Sequence, residues 1–305
     1  MPRIRLFLAG LCTALAALAL AAPASAAAAD YALYGDTLLW RLDPPGGGAP
    51  SYAVGTIHMV DPVLEPSLQR ARDRLREAGA LIVETDVSDA AQLDVVAAMI
   101  LTDGRALPDL IGKEAFDRLA AIAEDYGLPG IFLRTLAPWG AALMISVPAE
   151  QMQRMAAGDA VFDQALIDSA QAWGLPVETL ESIDEQIDAF AGHSEADQIT
   201  MLLHAIEVHD QLDAMVEAML ARYVAGDLAG LAELALVEMS AGDETLDARV
   251  LDALITDRNR RMAERMLPLL AQHPHLVAIG AMHLPGEEGV LNLLAQQGWK
   301  ISPAR

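Results

Sequence analysis

Two histidines share a setting that suits catalysis. Tyr52-Ala53-Val54-Gly55-Thr56-Ile57-His58 is an apolar run ending in G-x-x-H, and Val277-Ala278-Ile279-Gly280-Ala281-Met282-His283 repeats the layout near the other end of the chain. With 22 glycines and seven histidines in 305 residues, chance supplies about half of one such motif. Both lie where a β-type run stops, which is where α/β enzymes present reactive side chains. A glycine there permits a sharp turn or a close approach of backbone to a ligand. The plainer alternative is a pair of unrelated strand-end histidines bonded to backbone carbonyls. A third apolar run, Ala80–Thr85, ends in carboxylates at Glu84 and Asp86, which strand alternation places on one face. An unpartnered carboxylate in a core is costly, so Glu84 needs a partner. Three chemistries satisfy that need. Two histidines and a carboxylate form a divalent-metal site with open positions for water and substrate. The same trio without metal makes a histidine general base oriented by a carboxylate. A structural salt bridge to an arginine is the third.

The remaining polar groups carry less information. His204 and Glu207 lie three apart on a helical stretch without H-E-x-x-H and read as a solvated face. His273 and His275 flank Pro274 in a loop. Glu181, Asp184 and Glu185 follow a strand, and most of that charge reads as facing solvent. Arg258-Asn259 sits in ITDRNRRMAERM, where an arginine faces water or reaches inward to a carboxylate. The chain has no G-x-S-x-G, P-loop or G-x-G-x-x-G, which leaves serine-hydrolase, nucleotide and dinucleotide readings without a motif.

The elements that must position these groups follow from periodicity. Strands are expected at Leu38–Leu42, Tyr52–Gly55, Ala80–Thr85, Pro176–Leu180, Leu276–Gly280 and Trp299–Ser302. Helices are expected at Ser67–Ala78, Ala115–Tyr126, Asp163–Trp173, Glu195–Val224, Leu246–Gln272 and Glu287–Gln297. Strands gather at the two ends and helices in the centre. The fold class is therefore α/β: a single domain with a mixed or parallel sheet built from N- and C-terminal strands, with helical insertions in the middle.

Of the 305 residues, 53% are hydrophobic, and 43 acidic side chains against 20 basic ones give a formal charge of −23. That balance excludes an electrostatic nucleic-acid binder and disfavours an anionic membrane surface. The first residues differ from the rest. Arg3 and Arg5 precede an uncharged Leu- and Ala-rich stretch from Leu6 to Ala22, and Ala24-Ser25-Ala26 supplies small residues for cleavage. This is the layout of a secretory signal peptide over residues 1–26, cut near Ala26, with one α/β domain over 27–305 in the periplasm or outside the cell. The stretch is slightly short for the ~20 residues of a permanent span. The one cysteine, Cys12, falls inside it, so residues 27–305 hold no thiol, no disulfide and no Cys-ligated metal.

In the order and spacing of its motifs the chain resembles the TraB/GumN family, part of a wider Tiki-like group of metal-dependent hydrolases. The resemblance rests on Leu39-Trp40-Arg41 before the first G-x-x-H, on Ile82-Val83-Glu84 with Asp86-Val87-Ser88-Asp89, and on Pro138-Trp139. It continues through Phe162-Asp163, Gly174-Leu175-Pro176-Val177, Leu180-Glu181 and Gln186. Arg258-Asn259 with Met262, Gly280-Ala281-Met282-His283-Leu284, Gly286, Gly289-Val290-Leu291 and Gly298-Trp299 complete it. Phe162 stands where a glycine is expected before the aspartate. The resemblance implies a fold in which His58, Glu84 and His283 converge, and in Tiki-like relatives that site is taken to support metal-dependent peptide-bond cleavage. The erythromycin-esterase-like hydrolases are similar in motif and are proposed to use a histidine-activated water.

The expected activity is thus an exported metal-dependent hydrolase, a peptidase in the first instance. His58 and His283 would bind a divalent ion (Mn, Co, Zn or Fe), with Glu84 as third ligand or as base. Asp86, Asp163, Glu181, Arg258 and Asn259 would support these or grip a peptide or small-molecule substrate in a cleft. The alternatives are a non-catalytic periplasmic accessory protein binding a peptide or glycan, and a metal-independent, histidine-dependent esterase-like hydrolase.

Overall fold

The computed structural model describes residues 31–86, 88–238 and 242–304. The stretch read as a signal peptide, with Cys12, lies outside the described residues.

Six short strands form one mixed sheet: β1 Leu39–Asp43, β2 Ser51–Thr56, β3 Leu81–Val83, β4 Val177–Thr179, β5 Leu276–Gly280 and β6 Lys300–Pro303. Their spatial order is β4-β3-β5-β2-β1-β6. The four strands from β4 to β2 run parallel, and β1 pairs antiparallel with both β2 and β6. β2 and β5 are buried at every position, as expected of apolar strands covered on both faces. The sheet is therefore mixed and is assembled from both ends of the chain, as periodicity predicted.

The helices of seven or more residues are α1 Glu65–Ala78, α2 Asp89–Ala98, α3 Lys113–Asp125, α4 Pro138–Ile145, α5 Ala149–Ala156, α6 Phe162–Ala172, α7 Ile183–Ala191, α8 Glu195–Val208, α9 Leu212–Ala225, α10 Leu228–Glu238, α11 Glu244–Leu251, α12 Asp257–Leu270 and α13 Val290–Gln296. α1 begins with proline in its first turn and stops at Gly79, whose φ of 84° is the left-handed C-terminal cap that glycine adopts without penalty. Two stretches that periodicity reads as continuous are broken. A 3₁₀ turn at His209–Gln211 separates α8 from α9, and a π-helical turn at Asp252–Thr256 separates α11 from α12. Hydrophobic period alone does not register such changes of helical pitch.

Two large apolar clusters result. One lines the sheet, including Leu42, Ile82, Leu276 and Val277; the other, including Leu133, Leu143, Phe190 and Leu202, is built by the central helices. Among the described residues no helix is long and apolar enough to cross a membrane.

Candidate functional site

Three adjacent parallel strands, β3, β5 and β2, end at the same edge of the sheet. Thr56 of β2 pairs with Gly280 of β5, and Val83 of β3 pairs with Ala278. His58, Glu84 and His283 follow these strand ends within three residues, so register alone brings them to one end of the fold.

The two motif glycines make this convergence possible by close approach, not by unusual backbone angles, since neither has positive φ. A Cβ on Gly55 would sit 3.0 Å from the Ala281 backbone and 3.2 Å from Leu284, inside the turn that carries His283. A Cβ on Gly280 would sit 3.1 Å from Glu84 Oε1 and 3.4 Å from the His283 ring. Contacts that tight force the neighbour to move.

Glu84 is the hub. The Gly280 amide donates to its Oε1 at 2.5 Å, Arg258 Nη2 donates to its Oε2 at 2.6 Å, and Gln186 Nε2 lies 3.4 Å from Oε2. Arg258 enters from the first turn of α12 and is 2% exposed. It forks onto Glu181 as well, through Nε at 3.0 Å and Nη2 at 2.8 Å, and its Nη1 donates to Leu254 O in the π-helical turn. Burial pushes Glu84 toward the neutral acid, but the Arg258 charge, the histidines and the Gly280 N–H outweigh it, and its pKa falls to about 2. The carboxylate is therefore charged at any physiological pH.

The two histidines are held differently. His283 is 1% exposed, and its Nδ1 donates to Asn259 Oδ1 at 2.7 Å. Asn259 is itself anchored by donating from Nδ2 to Glu288 O at 2.8 Å. That leaves His283 Nε2 as a lone-pair acceptor, 3.8 Å from Glu84 Oε1. Burial, reinforced by Arg258 and His58, drives the His283 pKa down to about 3, so the ring is neutral. His58 Nδ1 lies 2.9 Å from Asp163 Oδ2 on α6. The contact is an ion pair and not an aligned hydrogen bond, because neither atom has a well-directed partner. Burial lowers the His58 pKa, yet the nearby Asp163 and Glu84 carboxylates reverse the sign and leave it above its ordinary value.

Of the residues expected at a site, Glu84, His283, Arg258, Asn259 and Glu181 form one connected buried cluster, with His58 and Asp163 beside it. Asp86 does not join. β3 stops at Val83, so strand alternation no longer governs residue 86. Its exposed carboxylate instead accepts from Ser88 N and Oγ, both at 2.9 Å, ahead of α2. The shared face expected for Glu84 and Asp86 is corrected accordingly. His273 and His275 stack on each other at 4.2 Å at the other end of the strands, as loop residues. A cavity of about 580 Å³ also opens at that far end, bordered by Pro45, Leu270 and Trp299, and holds no carboxylate.

Gln186, one of the residues that carry the family resemblance, reaches Glu84 from α7. Other contributors carry no motif. Gln151 Oε1 accepts from Val60 N at 2.9 Å and Arg154 donates to Val60 O at 2.8 Å, which pins the segment after His58 to α5. Tyr223 of α9 donates to Gly55 O at 2.7 Å. Each lies remote in sequence from the residue it holds.

The donor chemistry can be weighed against a divalent ion. His283 Nε2 and Glu84 Oε1 are two acceptors facing one another, and the fixed Nδ1 of His283 resembles the outer support that metal-ligating histidines receive. Both fit an ion. Among the described residues, however, no group of three or more His, Cys, Asp or Glu side chains stands close enough to enclose one. The residues present thus fit two ligands, with His58 alongside.

The sequence model of the TraB/PrgY/gumN family matches residues 38–303. Metalloprotease TIKI2 of Danio rerio is 25% identical over 318 residues, covering 87% of this chain and 60% of that protein. The uncharacterized protein YbaP of Escherichia coli (strain K12) is 25% identical over 80% of this chain and 87% of its own length. A Metalloprotease TIKI homolog of Amphimedon queenslandica is 24% identical over 63% of this chain and 42% of that protein. The match therefore spans less than two thirds of either TIKI protein. No solved structure matches the chain at the same stringency.

Proposed function

The chain belongs to the TraB/PrgY/gumN family, and from that premise we propose that it is an exported metal-dependent hydrolase that cleaves a peptide bond. The observation that carries this reading is the pair of acceptors, His283 Nε2 and Glu84 Oε1, facing each other at 3.8 Å where parallel strands end. Two acceptors turned toward one another need a cation or a doubly donating group between them. The names of the TIKI relatives favour a metal, and the signal-like N-terminus favours export.

His283 and Glu84 are the residues that would hold a divalent ion, and the chemistry it would supply there is Lewis-acid polarisation of a substrate carbonyl. Asn259 keeps His283 in the tautomer whose Nε2 can bind. Glu84 is too weak a base, with its pKa at about 2, to take a proton from water near neutrality. It acts as a fixed negative charge, and Arg258 balances the excess of carboxylates behind it. His58, whose pKa is raised, is the better proton carrier. It takes the proton from an attacking water and returns it to the leaving amine, with Asp163 stabilising its charged form.

A metal-independent reading is favoured by one feature, the His58–Asp163 pair, which could activate water without an ion. Elemental analysis separates the two. Protein purified without a histidine tag should carry near-stoichiometric Mn, Co, Zn or Fe, and hydrolysis of a peptide library should cease on chelation and return with added ion. Hydrolysis that survives complete metal removal supports the His58 route instead. Absence of both metal and hydrolysis sinks the enzyme reading and leaves a binding protein.

A further inference from the structure

We propose that the Thr56 hydroxyl is a third donor to the ion, beside Glu84 and His283, an inference that rests on the metal-dependent reading above. Thr56 closes β2, is 2% exposed, and its buried hydroxyl has no hydrogen-bond partner. A buried polar group left unpaired costs stability, and valine offers the same shape without the hydroxyl. Packing therefore does not account for a threonine at this position. The hydroxyl needs an occupant of the site to bond to.

Register fixes what the hydroxyl lies beside. Side chains of β2 alternate between faces, so Thr56 shares a face with Tyr52. Tyr52 donates to Glu77 and lies under Arg74, both of α1, and Arg72 of α1 donates to Ser169 of α6 at 3.1 Å. Thr56 thus faces the side of the sheet covered by α1 and α6, the helix that brings Asp163 to His58. Across the sheet Thr56 pairs with Gly280 of β5. Residues paired in a parallel ladder project to the same face.

Gly280 projects no side chain, and the space it leaves is bounded by the two facing acceptors. A Cβ there would lie 3.1 Å from Glu84 Oε1 and 4.0 Å from His283 Nε2. The acceptors stand 3.8 Å apart, within the about 4.2 Å that two metal–ligand bonds of ~2.1 Å can span. Thr56 borders the same space from the neighbouring strand, ~4.8 Å away. Its hydroxyl adds an oxygen donor and no charge. A carboxylate, a hydroxyl and a single imidazole form an oxygen-rich set, which suits Mn²⁺.

Calorimetric titration of the chelator-treated protein with Mn²⁺ alone tests this without reference to catalysis, together with thermal melting of the metal-free protein. Thr56→Val should melt at the wild-type temperature or above, since no hydrogen bond is lost, and should bind Mn²⁺ at least about tenfold more weakly. Thr56→Ser keeps the hydroxyl and should bind within about threefold of wild type. Equal Mn²⁺ affinity in wild type and Thr56→Val overturns the proposal and leaves the metal-dependent reading standing. A loss that Thr56→Ser does not restore has the same consequence. So does a lower melting temperature for metal-free Thr56→Val, which would mean that the hydroxyl has a structural partner. A wild-type protein that takes up none of Mn²⁺, Co²⁺, Zn²⁺ or Fe²⁺ overturns both the proposal and the reading beneath it.

Discussion

At the scale of single residues, two histidines with the same sequence setting end in opposite electrostatic states. His283 is buried, bonded to Asn259 and under the Arg258 charge, and is neutral, whereas His58 sits against Asp163 and favours its proton. The consequence for stability has a definite sign. His283 has a folded pKa of about 3 against an ordinary 6.5, so the unfolded chain binds the extra proton and stability falls as pH drops below 6.5. Glu84, at about 2 against 4.5, adds a further loss as pH falls from 4.5 toward 2. His58 acts the other way, stabilising at low pH and losing that contribution as pH rises through its raised value. Thermal melts across pH 7 to 3 should show a midpoint that drops steadily below about 6.5. A His283→Gln variant should show a shallower decline between 6.5 and 4.5. A flat wild-type profile would mean that His283 is not held neutral.

At the scale of elements, the site is a junction of α12 with two strand ends. Arg258 in the first turn of α12 bridges Glu84 after β3 and Glu181 after β4, and Arg265 two turns on clamps Glu185 through both carboxylate oxygens at 2.7 Å while donating to Leu180 O. The Arg265 pair is partly exposed and contributes little. The Arg258 pair is buried, and removing its cation would strand two carboxylates. Arg258→Met should therefore destabilise the fold by about 3–5 kcal/mol in urea unfolding. Arg258→Lys should lose less, since it keeps the charge but cannot fork. A loss under about 1 kcal/mol for the methionine variant would show that Glu84 and Glu181 find other partners.

At the scale of the whole molecule, the sheet cannot close until the chain is nearly complete, because β5 fits between β3 and β2. The fold is held by two apolar clusters, and residues 27–305 contain no cysteine. Protein beginning at residue 27 should accordingly unfold at the same denaturant midpoint with and without a thiol reductant. A chain beginning at residue 27 that stayed with the membrane fraction would contradict the signal-peptide reading.

Much of this was legible in the amino-acid sequence. β5 is found at Leu276–Gly280 as periodicity predicts, and the other strands lie within two residues of their expected limits, because buried strands write themselves as apolar runs between turn residues. The G-x-x-H repeats and the glutamate at a strand end likewise mark one end of a parallel sheet. Three things needed the tertiary structure. Gln151 and Tyr223 act through contacts with residues distant in sequence, which no local pattern encodes. The separation of Asp86 from Glu84 depended on where β3 stopped pairing, and pairing is a property of its neighbours β4 and β5. The different states of His58 and His283 depended on burial and on the partners Asp163 and Asn259, since a pKa is set by solvent exclusion and nearby charge and not by the residues on either side.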